Sequence, residues 1–180
     1  MGDVRTLLTF EQFEQLPDEP GKCELLEGEL IALPPAKWRH NSRSERLFLR
    51  LRAIVRKMQA RGEGARLGDV HHEMGYRLGP LTWLQPDVSI TDPGQPANDY
   101  YEGAPALAVE MVSESNTPRK IARKVAAFLA HGALEAWVVY PDRREVLVHR
   151  QGFDVATWSG RFSTDLLPGV KIDLDAILGE

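Results

Sequence analysis

Cysteine is almost absent from this chain of 180 residues, since Cys23 is the only one. An intramolecular disulfide and a thiolate metal cluster are therefore excluded. No run of about 18 uncharged apolar residues occurs either, which argues against a transmembrane helix. The first residues, MGDVRTLLTFEQFEQLP, lack the long apolar stretch and small-residue cleavage site of a secretion signal. We therefore expect a cytoplasmic protein that does not associate with membranes.

Two kinds of functional loop are also missing. No G-x-x-x-x-G-K-[ST] or G-x-G-x-x-G motif occurs, so no nucleotide cofactor is expected. The G-x-S-x-G turn of serine hydrolases is absent too, which leaves Ser113 and Ser115 unsupported as nucleophiles. Apolar residues make up 43% of the chain and charged residues 27%. These proportions are typical of a globular protein, and the length suits a single domain over residues 1–180.

The net charge of −4 hides a strong asymmetry. Residues 37–66 contain ten basic and two acidic side chains, a net charge of +8, and the remainder of the chain carries −12. A chain polarised in this way can present a basic surface to phosphates while staying acidic overall. A solvated helix face is the alternative interpretation of the same charges.

Hydrophobic patterns predict an N-terminal helix and hairpin over residues 9–33. Thr9 is a helix cap with Gln12 in capping-box spacing, and Pro17 ends the helix. The segment KCELLEGELIAL is typical of two short strands that turn at Glu27-Gly28.

The core of the domain is predicted between residues 39 and 150. Helices are expected at 39–61 and 118–130, and strands at 69–78, 84–91, 106–113, 135–140 and 145–149. The strand at 135–140 is nearly all apolar, as expected for a strand that is buried on both faces. Residues 92–103 are rich in turn formers and are predicted to be a loop. Residues 151–180 are expected to form a C-terminal extension, and the order of elements indicates an α/β or α+β domain with a mixed central sheet.

Two acidic residues lie in segments that otherwise carry apolar strand patterns. Asp87 lies in LQPDVSI and Glu110 in LAVEMVS. A carboxylate in such a position is costly unless something compensates its charge. A Mg²⁺ or Mn²⁺ ion does so with oxygen ligands, activates water, and neutralises charge on a phosphodiester. The alternative is that both acids simply mark strand ends at the solvent boundary.

A lysine would complete such a site, but position 112, which shares a strand face with Glu110, holds a valine. The helix that follows supplies four cations, namely Arg119, Lys120, Arg123 and Lys124. A lysine from this helix can reach back over the strand ends and hold water or stabilise a transition state. The alternative for Lys124 is an ordinary surface lysine on an amphipathic helix.

Four stretches together resemble the Uma-two family of small bacterial restriction endonucleases, part of the PD-(D/E)XK nuclease superfamily. They are GKCELLEGELI, LQPDVSI, YYEGAPALAVEMVSESN and ARKVAAFLAHGALEAWVVYP. The resemblance extends from Thr9 to LLPG. It implies a restriction endonuclease-like core and metal-dependent cleavage of DNA. By the same resemblance, Asp87 and Glu110 fall on the metal-binding acids, Lys124 matches a helix lysine, and Glu27 falls where an additional acid lies.

Three positions depart from the pattern of that family. Lys120 stands where relatives commonly have an acid, Glu114 replaces a proline, and Tyr140 stands where an aspartate is common. An ammonium at Lys120 would lower the pKa of a nearby Lys124. An inactive nuclease-fold module that binds DNA or a protein partner is therefore the alternative function.

DNA contacts are expected along the basic helix. His40 begins it, and we expect this histidine at the rim of the cleft, with Arg43, Arg46 and Arg50 on phosphates. Cleavage of both strands of a duplex would need two sites, so a homodimer is expected. The pair His71 and Glu73 shares a strand face and is a minor metal candidate, with a solvated polar pair as the alternative.

Overall fold

The structure is a computed structural model that describes residues 7–17 and 22–179. The predicted domain limits at residues 1 and 180 lie outside the described residues. Its helices are α1 (Phe10–Glu14), α2 (Trp38–Ala60), α3 (Pro118–Ala130) and α4 (Leu174–Leu178). Its strands are β1 (Lys22–Leu26), β2 (Glu29–Leu33), β3 (Val70–His72), β4 (Tyr76–Gly79), β5 (Thr82–Leu84), β6 (Val88–Ile90), β7 (Tyr101–Glu102), β8 (Leu107–Met111), β9 (Glu135–Tyr140), β10 (Glu145–His149), β11 (Ala156–Ser159), β12 (Arg161–Phe162) and β13 (Ile172–Asp173).

The N-terminal prediction is confirmed. Thr9 caps α1 in a capping box with Gln12, each bonding the other's backbone N–H. Strands β1 and β2 pair antiparallel around a two-residue turn at Glu27 and Gly28, whose φ angles are 53° and 80°. Turns with two positive φ angles match the twist of a hairpin, and glycine adopts the second at no steric cost. A Cβ at Gly28 would also lie only 2.8 Å from Leu7 Cβ.

The strands form two larger sheets and a small one. A six-stranded sheet has the order β11-β10-β9-β8-β6-β3, and a five-stranded sheet has the order β2-β1-β5-β4-β7. The β8–β9 pair is parallel while β6–β8 and β9–β10 are antiparallel, so the central sheet is mixed, as predicted. Strands β12 and β13 form a two-stranded sheet beside α4.

The predicted strands 69–78 and 84–91 are each divided between the two larger sheets. Strand β3 belongs to the six-stranded sheet and β4 to the five-stranded one, with Glu73 between them at a φ of 50°. Strand β5 is likewise separated from β6 by a segment containing Pro86, which has no N–H to continue a ladder. The predicted loop 92–103 also contains the short strand β7.

Helices pack on both faces of the six-stranded sheet. On one face, α2 buries Leu47, Leu51 and Val55 in the main core, which also contains Val88 and Val109. On the other face, α3 packs Ile121 and Val125 against β9. Strand β9 is buried over nearly its whole length, as predicted. Within the described ranges, no helix is long and apolar enough to cross a membrane.

Candidate active site

Strand register brings Asp87 and Glu110 together. Strands β6 and β8 pair antiparallel with Val88 opposite Val109, so Asp87, one residue before β6, lies opposite Glu110. The backbone N–H of Met111 donates a 2.6 Å hydrogen bond to Asp87 Oδ2. Both residues are buried, with exposed fractions of 6% and 5%. The two strand acids therefore form one local unit.

Lys124 reaches this unit from α3. Its Nζ lies 2.6 Å from Glu110 Oε1 and 2.9 Å from Glu24 Oε1, and the lysine is only 4% exposed. A lysine on the same face of α3 as Ile121 and Val125 must enter the protein with them. The ammonium compensates two buried carboxylates that would otherwise be destabilising.

Glu24 is a member of the site that the sequence interpretation missed. It is fully buried in β1, and its Oε1 also accepts the backbone N–H of Gln85 at 2.9 Å. Its burial could be inferred from the sequence, because Glu24 shares a strand face with Leu26, whereas its contact with Lys124 could not. The resemblance to known nucleases led instead to Glu27, three residues further along.

The structure places Glu27 outside the cluster, which corrects the expectation that it belongs to the acidic pocket. Glu27 lies on the hairpin turn with its side chain 68% exposed, and its Oε2 accepts two hydrogen bonds from Arg123. Alternation along β1 places Glu24 and Leu26 on one face, and Glu27, in the turn that follows, is out of step with them.

Two basic side chains approach Asp87. His40, in the first turn of α2, donates a 3.1 Å hydrogen bond from Nε2 to Asp87 Oδ1, and Lys22 Nζ lies 3.9 Å from the same oxygen. His40 thus contacts one of the candidate metal-binding acids directly. The sequence predicted only a position at the rim of the cleft. Lys22 was not predicted, although it shares a strand face with Glu24.

Burial and charge shift the acids of the pair in opposite directions. Burial raises the pKa of Glu110 to about 7, despite the opposing ammonium of Lys124. Burial acts upward on Asp87 as well, but the hydrogen bond from His40 and the charge of Lys22 bring the pKa of Asp87 below its ordinary value. Near neutral pH, Asp87 is therefore ionised while Glu110 readily gains or loses a proton.

The basic members respond to the same charges. Burial acts to lower the pKa of Lys124, but the carboxylates of Glu110 and Glu24 outweigh this effect and the net shift is upward. The hydrogen bond to Asp87 raises the pKa of His40 against the effect of burial. Lys124 therefore stays charged, contrary to the expectation that a neighbouring Lys120 would lower its pKa.

Asp87 and Glu110 line a cleft of about 860 Å³. Its walls are the segments at residues 34–37 and 113–116, the N-terminal turn of α2, and the end of β8. Lys37 and Glu114 form a 2.5 Å ion pair that joins the two segments. Both strand acids thus face a cavity that a ligand can enter.

The donor set suits one hard divalent cation that keeps part of its water. Across residues 7–17 and 22–179, no three His, Cys, Asp or Glu side chains are grouped so as to hold a metal ion. The two carboxylates at the cleft, Asp87 and Glu110, are the side chains that could hold a metal here. Mg²⁺ is commonly bound in this way, through one or two carboxylates together with waters and substrate phosphates.

The predicted DNA-binding arginines lie on the flank of α2 that faces α4. Arg43 lines the cleft and donates from Nε to the carbonyl of Leu178, and Arg46 donates to the same carbonyl. Arg50 is exposed one turn further along. The first two side chains are therefore partly engaged in holding the C-terminal helix.

The minor metal candidates are not brought together. His71 Nε2 and the Tyr101 hydroxyl are 3.2 Å apart and share a hydrogen bond, and the two rings pack together. Glu73 lies after the end of β3 and lines the cleft. The contacts of His71 fit the alternative interpretation, a polar pair, better than they fit metal binding.

Comparison with known proteins identifies the family. Residues 10–174 match the family described as "Uma2: Putative restriction endonuclease". The chain belongs to this family. The description of the family agrees with the resemblance found in the sequence. A search of curated proteins finds no match.

A solved structure shows the same fold. It is the crystal structure of a protein from Anabaena variabilis ATCC 29413, described as "a putative nuclease belonging to DUF820". The TM-score is 0.79 at 18% sequence identity, and the match covers 95% of this chain and 97% of the other. The predicted restriction endonuclease-like α/β fold is thereby confirmed.

Proposed function

We propose that this member of the Uma2 family is a metal-dependent endonuclease that hydrolyses phosphodiester bonds of DNA. The observation that supports it most directly is the pair of buried carboxylates, Asp87 and Glu110, side by side at one cleft, with Lys124 2.6 Å from Glu110. A nuclease needs groups that neutralise the charge of a phosphodiester, and buried charges are costly unless they are paired or coordinate a metal.

In this proposal Asp87 and Glu110 hold Mg²⁺ or Mn²⁺. The bound ion would supply an activated water and neutralise charge on the phosphoryl group. The Met111 N–H orients the Asp87 carboxylate through Oδ2, which fixes one ligand in the direction of the cleft. His40 and Lys22 keep Asp87 ionised and therefore ready to bind a cation.

Lys124 and Glu24 act together behind the acids. Lys124 keeps a positive charge against Glu110 and can hold water or a phosphate oxygen. Glu24 receives a hydrogen bond from Lys124 and another from the Gln85 backbone, so it fixes the direction of the ammonium. Lys124 thus supplies the lysine partner of Glu110 that position 112, a valine just after β8, does not provide.

DNA would enter along the N-terminal turn of α2, where Lys37, Arg39 and Arg43 line the cleft. Contacts of this kind give affinity without sequence information. Cleavage of both strands of a duplex would use two copies of the site, so we propose a homodimer as the working unit.

Cleavage of supercoiled plasmid in the presence of Mg²⁺ or Mn²⁺ tests the function. We expect Glu110→Gln to reduce the rate by at least about a hundredfold, as loss of a main electrostatic group does in other enzymes. Glu114→Gln is the matched control, because Glu114 lines the same cleft but its side chain is exposed and pairs with Lys37. Cleavage by Glu110→Gln at the wild-type rate would contradict the proposal, and DNA binding without any cleavage would favour the inactive module.

A further inference from the structure

A second groove, of about 410 Å³, lies between α2 and strand β3. Strand β3 is the last strand of the six-stranded sheet, so the groove runs along the edge of that sheet. Its lining on the helix includes Phe48, Arg52, Arg56 and Gln59. The groove shares no lining residue with the cleft that Asp87 and Glu110 line.

Hydrogen bonds and ring contacts hold the walls of the groove in place. Ser44 Oγ and His72 Nε2 are 3.0 Å apart, and the rings of Phe48 and His72 pack at 5.8 Å. Gln59 Nε2 donates to the carbonyls of Leu67 and Gly68, at 3.1 Å each. The groove is therefore a built feature that joins helix and strand.

The charge of the groove favours an anion. Arg52 and Arg56 lie one turn apart on α2 and are both exposed. In the part of the chain that the structure describes, neither arginine forms an ion pair, and the Arg52 guanidinium lies 5.7 Å from the Phe48 ring centroid. One carboxylate, Asp69, also lines the groove. Two guanidinium groups without an ion pair, against one carboxylate, leave a net positive site, and guanidinium forks match phosphate oxygens well.

Helix α2 and strand β3 link the groove to the cleft that contains Asp87. His72 is paired with Val88, which directly follows Asp87. Arg52 comes 12 residues after His40 on the same helix. At the rise of an α-helix this separation is about 18 Å. One DNA strand carries a phosphate about every 3.4 Å along the duplex axis, so the separation spans about five nucleotides.

We propose that this groove is a second DNA-backbone site, in which Arg52 and Arg56 bind phosphates about five nucleotides from the bond at the active cleft. The inference rests on the proposed function, because it takes the substrate to be DNA. It differs from the expected arrangement in its location: the phosphate contacts lie on the β3 flank of α2, away from the flank on which Arg43 and Arg46 hold Leu178.

Binding without metal tests the groove separately from cleavage. A fluorescently labelled duplex of about 20 base pairs is titrated with wild type and with the double variant Arg52→Gln/Arg56→Gln between about 50 and 200 mM salt. Each lost phosphate contact lowers the salt slope by about 0.9, so two contacts lower it by about 1.8. Over this salt range the wild type should then lose about twelvefold more affinity than the variant.

The matched control is Lys57→Gln/Arg61→Gln, which removes the same charge from the last turn and the C-cap of α2, on the flank opposite the groove. We expect its salt slope to stay close to that of wild type, and both variants should keep the wild-type melting temperature because all four side chains are exposed. Equal changes in both double variants would overturn the groove proposal, and so would an unchanged slope for Arg52→Gln/Arg56→Gln. Failure of the wild type to bind the duplex would overturn it as well. A wild type that binds through the groove but cuts no DNA would contradict the proposed activity alone.

Discussion

Glu24 and Glu27 are three residues apart in one hairpin, yet they belong to very different ion pairs. Glu24 is fully buried and accepts a hydrogen bond from Lys124, whereas Glu27 is 68% exposed and pairs with Arg123. The two cations are neighbours on α3 as well. One pair is thus buried beneath a cleft and the other lies at the surface, although their chemistry is similar.

The difference teaches that burial, more than pairing itself, decides what an ion pair contributes. A surface pair is screened by water and contributes about 0–1 kcal/mol. A buried pair with one partner removed leaves an uncompensated charge, which costs about 3–5 kcal/mol. The following substitutions measure this contrast directly.

Substitution of Lys124 is expected to have the largest effect on stability. We predict that Lys124→Met lowers the free energy of unfolding by about 3–5 kcal/mol, since Glu24 and Glu110 then share a buried site without their cation. Arg123→Met is the matched control on the adjacent residue and should cost under about 1 kcal/mol. Urea denaturation of both variants provides the measurement. Equal losses would show that the buried cluster is not compensated by Lys124 in the way described.

A divalent metal should stabilise only a protein whose buried acids are intact. At a Mn²⁺ concentration about 100 times its Kd, binding to the folded state adds about 2.7 kcal/mol, visible as a higher melting temperature. We expect Asp87→Asn to abolish this shift and Glu27→Gln to retain it, because only Asp87 lies at the cleft. If Asp87→Asn showed the full rise in melting temperature, the metal would have to bind at another place.

The smallest contrast compares the two glutamates themselves. Glu24→Gln should cost about 1–3 kcal/mol, since it weakens charge-assisted hydrogen bonds in a buried place. Glu27→Gln changes an exposed side chain and should stay within about 0.5 kcal/mol of wild type. Thermal or urea denaturation gives both values. A larger loss for Glu27→Gln than for Glu24→Gln would reverse the assignment of roles.

Local patterns in the sequence predicted those parts of the structure that depend on local interactions. The capping box at Thr9, the turn at Glu27-Gly28 and the helix beginning near residue 38 all agree with the structure. Each depends on a few neighbouring residues, such as a side chain that satisfies a free N–H or a glycine that adopts a positive φ. The division of residues 69–78 between two sheets did not follow from the pattern, because alternation along a strand is the same whichever sheet it joins.

The site was predictable in its acids and much less so in their partners. Asp87 and Glu110 stood out because a charge in an apolar strand requires compensation. Which cation compensates them depends on where α3 crosses the sheet, and that geometry selects Lys124 from the four cations of the helix. That Glu24 belongs to the site and Glu27 does not likewise depends on which face of β1 is buried.

The chain itself therefore determined most helices and strands, the family and the choice of the two acids as candidates, since all three depend on residue types at short spacings. The three-dimensional arrangement alone decided that Lys124, Glu24 and His40 converge on those acids, and that Arg52 and Arg56 line a separate groove. The physical reason is that contacts between residues far apart in sequence depend on strand register and helix crossing, which no short stretch of sequence encodes.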